Sequence, residues 1–155
     1  WIDAALKSMV ISNRLGARCL TEFGATACTD LTGFGLLGHL VEMTRPSGVD
    51  AEINLTNLPL LDGAEDCVAM GIVSSLQSAN VRLRRALRNQ EAMVKHPRYP
   101  LIFDPQTAGG LLASVPAERA EACIKALREL GYVHTCAIGK IVAQGEALEP
   151  IVLTV

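Results

Sequence analysis

The stretch ACTDLTGFGLLGHLVEM, residues 27–43, decides the fold because a strand, a turn and a helix follow one another in it without a break. The small residues at 25–29 predict a short strand, and the apolar stripe after the turn predicts a helix over 35–45 that residues 46–48 end. Between these elements, residues 29–38 hold one acid, two threonines and three glycines. A turn built only for packing would not need so much bare backbone beside a carboxylate, so this turn is a candidate ligand site.

The composition is that of a folded protein with no strong attraction to nucleic acid or membrane. Half of the 155 residues are hydrophobic, 19% are charged, and the formal net charge is −2. Aromatic residues make up only 4%, which is too few for base-stacking platforms. No apolar run approaches the ~20 residues that a membrane-spanning helix needs. We therefore expect neither nucleic-acid binding nor membrane insertion.

The cysteines indicate a reduced protein. They are Cys19, Cys28, Cys67, Cys123 and Cys136, an odd number with no C-x-x-C pair. This pattern argues against a disulfide framework or a zinc knuckle and favours structural thiols in a cytoplasmic protein. The chain also begins without an initiator Met and without the basic-then-apolar order of a signal peptide, so we expect a piece of a longer protein.

The order of the predicted elements gives the fold class. A β-α-β unit, a mostly helical insertion and a second β-α-β unit predict an α+β layered sandwich with ferredoxin-like character. We expect residues 1–155 to form a single domain. The predicted helices cover 3–22, with Gly16 as the weak point, 60–71, 81–94 and the segment from Pro116 to Gly131; the remaining strands cover 49–55, 99–104, 110–115 and 134–142, with EPIVLTV as a further candidate, and 71–80 is a polar connection.

Two patterns give specific expectations of burial. The alternation in 49–55 puts Asp50 and Glu52 on the polar side of a half-buried strand. One face of the first helix collects Leu6, Met9, Val10, Ala17 and Leu20.

The first turn has the residue types of an anion and metal site. Asp30 lies at the carboxyl end of a predicted strand, where open α/β sheets place ligand groups. Thr32, Gly33 and Gly35 then lead into the helix, whose N-terminus and free N–H groups favour an anion. A carboxylate beside such a nest fits if Mg²⁺ bridges it to a phosphate. The alternative is that Asp30 caps the helix and the glycines only permit tight packing.

Two common nucleotide motifs are excluded for this turn. It is not a Walker A motif, since no G-K-[ST] follows, and GFGLLG is not a dinucleotide fingerprint, since no suitably placed acid follows in a βαβ unit.

The segment FDPQTAGG, residues 103–110, is a second candidate ligand turn. Thr107, Gly109 and Gly110 would line the ligand, and the alternative is a type I turn that leads into a strand.

Other ionisable residues receive structural interpretations. His39 is interpreted as a helix-packing histidine rather than a catalytic one. Arg82, Arg85 and Arg88 share a predicted helical row, which favours a solvated face over contact with a phosphate or a partner domain. Cys28 has no evident base beside it and is interpreted as structural.

Three segments together resemble one enzyme family. ACTDLTGFGLLGHLVEM resembles the signature of selenophosphate synthetase (selenide, water dikinase). FDPQTAGGLL resembles that family's second signature, with Ala108 where Ser is usual, and GIVSSLQSAN, with Asn80, resembles its middle segment. Leu31 replaces the usual Val or Ile. The resemblance runs from the first helix through AIGKIV and places the chain in a superfamily with aminoimidazole ribonucleotide synthetase, thiamine-monophosphate kinase and a hydrogenase-maturation protein.

The resemblance implies that the chain is the carboxyl-terminal domain of an enzyme that converts ATP, selenide and water to selenophosphate, AMP and phosphate. The missing amino-terminal half would carry most ATP- and metal-binding acids, the reactive Cys or selenocysteine with a Lys, and the homodimer surface, so this fragment would hold no catalytic residue and be inactive alone. The expected cofactor is Mg²⁺, with ATP as substrate. Two alternatives stay open: another enzyme of the superfamily, and a non-catalytic ligand-binding α+β module. The site residues implied are Asp30 for the metal, Thr29, Thr32, Gly33 and Gly35 for the phosphate side, and Thr107, Gly109 and Gly110 for the facing turn.

Overall fold

The computed structural model describes residues 1–155. The α-helices are α1 (Ile2–Met9), α2 (Arg14–Glu22), α3 (Gly35–Ser47), α4 (Ala64–Ala69), α5 (Gln77–Asn80), α6 (Gln90–Met93) and α7 (Ala120–Glu129). The strands are β1 (Ala27–Asp30), β2 (Val49–Asn54), β3 (Leu111–Ser114), β4 (Gly139–Ala143) and β5 (Ile151–Thr154). Short 3₁₀ helices cover Leu55–Asn57, Val81–Ala86, Tyr99–Phe103 and Ala117–Arg119. None of the helices is both long enough and apolar enough to cross a membrane.

The strands form two separate sheets, and each β-α-β half contributes one strand to each sheet. The first strands of the two halves, β1 and β3, pair antiparallel with Asp30 opposite Leu111. The second strands, β2 and β4, also pair antiparallel, and β5 joins the other edge of β2 in parallel. The predicted α+β class with two β-α-β halves is confirmed, and the strands divide between two sheets.

Helix α3 carries the first turn and follows its predicted stripe. Leu37, Leu40 and Val41 are buried because their spacing places them on one face. Gly48 ends the helix with a left-handed φ of 62°, while Pro46 still lies within the last turn. Each buried leucine of this kind contributes about 1.5–3 kcal/mol, so the helix is a firm support for the turn at its start.

The main core joins α3, the three-stranded sheet and the 3₁₀ helix Tyr99–Phe103. Ile102 and Phe103 are each 1% exposed and come directly before the second turn. A smaller cluster, Cys19, Leu20, Cys123 and Leu127, lies between α2 and α7. Both candidate turns therefore emerge from buried segments.

The first predicted helix is wrong as one rod over 3–22. It breaks into α1 and α2 at residues 10–13, not at Gly16. Gly16 is buried against Tyr132. Its N–H donates to the Tyr132 hydroxyl at 2.8 Å, and a side chain at residue 16 would meet the Tyr132 ring. Of the apolar face expected in this helix, Leu20 is buried, whereas Leu6 is 55% exposed and Val10 82%.

The helical insertion contains more 3₁₀ structure than predicted. The expected helix over 81–94 is wrong, because Leu87 forms a parallel bridge to Ile151 and interrupts it. The expected strand over 99–104 is a 3₁₀ helix with Pro100 at its start. The expected helix over 60–71 is shortened to α4. Tertiary pairing with β5 overrides local helix propensity in this region.

The expectation that Asp50 lies on a solvated strand face is wrong. Asp50 is 2% exposed, and its Oδ2 accepts hydrogen bonds from Arg88 and from the Gly145 N–H, both at 2.8 Å. These bonds hold the pKa of Asp50 below its usual value, the Arg88 hydrogen bond having the largest effect. Arg88 also donates to the Glu149 carbonyl, so it joins β2 to the segment before β5 and is not part of a solvated helical row.

Candidate functional site

The two candidate turns lie side by side at one end of the β1–β3 sheet. Antiparallel pairing places the end of β1 beside the start of β3, so the segments 31–35 and 104–110 meet. The Leu31 N–H donates to the Gly110 carbonyl at 2.9 Å, and the Gln106 N–H donates to the Thr32 carbonyl at 3.0 Å. The structure therefore brings both predicted motifs into one surface, which we call the turn pair (residues 30–35 and 104–110).

The folded backbone has no room for a side chain at two of the glycines in the turn pair. Gly35 has a φ of +68°, and a Cβ there would lie 2.9 Å from the Asp104 carbonyl oxygen. A Cβ at Gly109 would overlap the Leu31 carbonyl oxygen. These glycines permit close backbone approach, as the packing interpretation expects.

At the other two glycines of the turn pair, Gly33 and Gly110, the fold leaves room for a side chain. A Cβ at Gly33 or at Gly110 would meet no atom within 4 Å, and neither residue has a positive φ. Packing and backbone strain therefore leave both glycines unexplained. The open space beside them is where a ligand could approach the backbone closely.

Free backbone donors border this space. The Gly33 and Phe34 N–H groups have no acceptor in the chain, and those of Thr107 and Ala108 have none either. Gly33, Phe34, Thr107 and Ala108 are all exposed. Because these four N–H groups are exposed, water satisfies them in the free chain and an anion could take its place; we call them the nest.

The orientation of the Gly33 N–H is fixed by its own peptide group. The Thr32 carbonyl accepts from the Gln106 N–H at 3.0 Å and from the Gly35 N–H at 3.1 Å. All peptide bonds are trans, so the Gly33 N–H points opposite to that carbonyl. Through Gln106, the second turn therefore helps to orient the Gly33 N–H of the first turn.

His39, on the first turns of α3, binds the backbone of the preceding turn. Its Nε2 accepts from the Thr32 N–H at 3.0 Å and lies 3.1 Å from the Thr32 hydroxyl. Because Nε2 accepts, a neutral ring carries its proton on Nδ1, which lies 3.2 Å from Glu42 Oε2. The imidazole is 7% exposed, so it packs as predicted and also fixes the backbone of Thr32.

Asp30 is the free carboxylate of the site. It is exposed, and no side chain or N–H donates to its carboxylate oxygens. The residue at the N-cap of α3 is Phe34 and no side chain caps the helix, so the alternative in which Asp30 caps it is wrong. Thr29, just before it, is half-buried, and its hydroxyl donates to the Asp30 carbonyl at 3.1 Å.

A metal ion fits Asp30 only as a shared ligand. No cluster of three or more His, Cys, Asp or Glu side chains that could hold an ion exists in the chain. An unpaired carboxylate oxygen beside free N–H groups suits Mg²⁺ that is also bound by phosphate oxygens and by further ligands from outside the chain.

Asp104 is a second acid in the turn pair, and no sequence pattern assigns it a role. It is half-buried, and burial raises the pKa of its carboxyl, while a hydrogen bond from Gln106 Nε2 at 2.9 Å partly offsets the rise. A raised pKa from desolvation beside a candidate site is a signal that residue patterns do not carry.

The cysteines show no activated thiol. All five are free. Burial is the main cause that raises the pKa of Cys28, and the charge of Asp30 adds to it. Burial likewise raises the pKa of Cys19, Cys123 and Cys136. The structural interpretation of Cys28 agrees with this environment.

The residues that border the open space are exposed, among them Gly33, Phe34 and Gly110. A ligand held by their backbone would lie at the surface of this chain, where groups from outside the chain could also contact it.

The family follows from comparison with known proteins. Residues 3–149 match the family model described as AIR synthase related protein, C-terminal domain. The chain belongs to this family. Curated relatives named selenide, water dikinase are 41% identical over 149 residues in Bordetella bronchiseptica and 39% identical over 145 residues in Geobacter metallireducens. A third, selenide, water dikinase 2 of Peptoclostridium acidaminophilum, is 34% identical over 144 residues.

This AIR synthase related domain is only part of its relatives' length. The matches cover 92%, 94% and 93% of this chain but 40%, 42% and 41% of those relatives, respectively. Among solved structures, hydrogenase maturation protein HypE superposes with a TM-score of 0.62 at 24% identity, covering 91% of this chain and 37% of that one. A structure of HypE in complex with ATP gives the same score. These two likenesses establish the shared fold.

Proposed function

We propose that this chain is the carboxyl-terminal domain of a selenide, water dikinase, and that the turn pair closes one side of its MgATP site. The observation that carries this proposal is the set of free N–H groups at Gly33 and Phe34, beside an unpaired carboxylate and two glycines that the fold does not require. The identity to relatives of that name supports the reaction: ATP, selenide and water give selenophosphate, AMP and phosphate.

Four backbone donors, one glycine and two threonines have definite parts in this proposal. The N–H groups of Gly33 and Phe34, at the start of α3, bind phosphate oxygens, and those of Thr107 and Ala108 do so from the facing turn. Gly110 leaves room for the phosphates, and Thr29 and Thr32 hold the backbone on either side of Asp30. Ala108 has no hydroxyl and contributes only its N–H.

Asp30 would be this chain's ligand to Mg²⁺, and the remaining ligands would come from the phosphates and from outside this chain. When bound there, the ion would neutralise charge on the phosphates that are transferred. Asp104 lies in the second turn, burial raises the pKa of its carboxyl, and a nearby cation would favour its charged form.

The rest of the site is assigned to the amino-terminal half of the same protein. That half would supply the nucleophile, the remaining metal ligands and the homodimer surface, and we expect this chain alone to be inactive, in a protein of the cytoplasm. The outward face of α1 supports a missing neighbour: Ile2, Leu6 and Met9 are 78%, 55% and 48% exposed.

The test is ³¹P NMR of the full-length protein with MgATP and selenide under anaerobic conditions. Asp30→Asn is compared with Asp66→Asn, which changes an exposed acid on α4. We expect a selenium-coupled phosphorus signal with AMP in wild type and in Asp66→Asn, and its loss in Asp30→Asn. ADP without that signal would instead identify a kinase or synthetase of the same superfamily. Tight MgATP binding without turnover would identify a ligand-binding module.

A further inference from the structure

Asn80, at the end of α5, connects the two turns through one side chain. It is 7% exposed, and its Nδ2 donates to the Gly33 carbonyl at 2.8 Å and to the Phe103 carbonyl at 3.0 Å. An amide NH₂ group has two hydrogens, so both donors are used. One acceptor lies inside the first turn and the other directly precedes the second.

The bond to Gly33 also orients a donor of the nest. The Gly33 carbonyl and the Phe34 N–H belong to the same trans peptide and point in opposite directions. With the carbonyl held by Asn80, the Phe34 N–H points away from the buried side, toward solvent. Nothing else in the chain binds the Gly33 carbonyl.

The attachment of α5 does not depend on Asn80. Gln77 on the same helix donates from Nε2 to the Pro100 carbonyl at 2.7 Å and is 5% exposed. Loss of the Asn80 amide would therefore release the Gly33–Phe34 peptide while the helix stays anchored to residues 99–103.

We propose that Asn80 is a positioning residue for the nucleotide: it fixes the Gly33–Phe34 peptide so that the Phe34 N–H meets a phosphate oxygen. This proposal rests on the proposed function. A peptide free to rotate would present either its carbonyl or its N–H, and a carbonyl oxygen facing a phosphate is repulsive. Asn80 thus keeps this peptide in the orientation that presents a donor to an anion.

The variant Asn80→Asp tests this role, because it keeps the side-chain size and replaces the donor by oxygen. Asn89→Asp is the matched control. Asn89 donates to the Leu153 carbonyl at 2.7 Å, far from the turn pair in the other sheet, and also loses an amide donor on substitution.

The first readout needs no activity. Full-length protein labelled with ¹³C at glycine carbonyls and ¹⁵N at phenylalanine reports its Gly–Phe peptides, of which this chain contains one, Gly33–Phe34, and its signal is identified by its loss in Phe34→Leu. We expect its amide signal to shift in Asn80→Asp and to stay in place in Asn89→Asp. An unmoved signal in Asn80→Asp would overturn the proposal.

The second readout is steady-state kinetics with MgATP and selenide. We expect KM for ATP to rise in Asn80→Asp, with kcat/KM falling by up to about 100-fold as for a misplaced binding group, and both constants to stay near wild type in Asn89→Asp. A purely structural role would lower the active fraction, so kcat would fall with KM unchanged, which contradicts positioning. If wild type lacks selenide-dependent turnover, the proposed function fails, and the Phe34 signal still decides whether Asn80 holds the peptide.

Discussion

Two regions of the molecule place an aspartate beside a glycine-containing turn, and they use it in opposite ways. At the three-stranded sheet, Asp50 is buried and pairs with Arg88 and with the Gly145 N–H of its own chain. At the two-stranded sheet, Asp30 is exposed, and no donor of the chain meets its carboxylate. The first arrangement is complete within this chain. The second has unused donors and acceptors side by side, which is the condition for binding a ligand from outside.

The same contrast separates glycines within the turn pair. Gly109 and Gly110 are neighbours, yet a Cβ would overlap backbone at the first and meet open space at the second. We expect Gly109→Ala to lower the free energy of unfolding by about 3 kcal/mol and Gly110→Ala to change it by less than about 0.5 kcal/mol. Urea unfolding of both variants measures the difference. Equal losses would mean that both glycines serve packing.

The Asp50 region should respond to acid. The pKa of Asp50 in the folded protein lies below its usual value, so its stabilisation is present above that usual value and is lost as pH falls through the folded one. Asp50→Asn should therefore unfold at a clearly lower temperature at pH 7, and the gap should close in strong acid. Melting temperatures across pH measure this. A gap that persists in acid would assign the effect to packing.

The pH dependence of stability due to Asp104 should be opposite to that due to Asp50. Burial raises the pKa of its carboxyl, so stability is highest below the usual value and falls as pH rises through the folded one. We expect Asp104→Asn to raise the melting temperature slightly at pH 7 and to leave it unchanged in acid, where wild-type Asp104 is protonated. A lower melting temperature at pH 7 would show that the carboxylate makes a favourable contact in the folded chain.

The smallest effect on this chain is expected at α1. Leu6 is 55% exposed and α1 has no buried residue, so Leu6→Gln should change the free energy of unfolding of residues 1–155 by less than about 0.5 kcal/mol. In the full-length protein the same change should destabilise, because the proposed amino-terminal half would cover this face. Equal effects in both forms would remove α1 from that interface.

The sequence predicts the regular parts of this fold and singles out the two turns that the structure brings together. The strand, turn and helix at 27–47 follow from local signals that agree with one another, as do β3 and α7. The middle of the chain does not, because the break near Leu87 depends on pairing with β5, which no local pattern encodes.

For the candidate site, the sequence proposes Asp30 and the glycine turns but not the contacts that orient their backbone. Asn80 and His39 act through hydrogen bonds to main-chain groups of the first turn. Such bonds depend on where α5 and the first turn of α3 lie in the folded protein. Residue type alone therefore does not predict that Asn80 and His39 bind the backbone of the first turn. The distinction between required and open glycines likewise needs coordinates.

If the space at Gly33 receives a phosphate, as proposed, a Cβ there should weaken MgATP binding, and calorimetry on the full-length protein measures this. Gly33→Ala is compared with Gly145→Ala, where a Cβ would make ordinary contact beside Asp50. We expect an unchanged melting temperature in both variants and MgATP binding at least about tenfold weaker in Gly33→Ala alone, the loss of roughly one good hydrogen bond to a charged group. Wild-type affinity in a folded Gly33→Ala would show that no phosphate lies against Gly33.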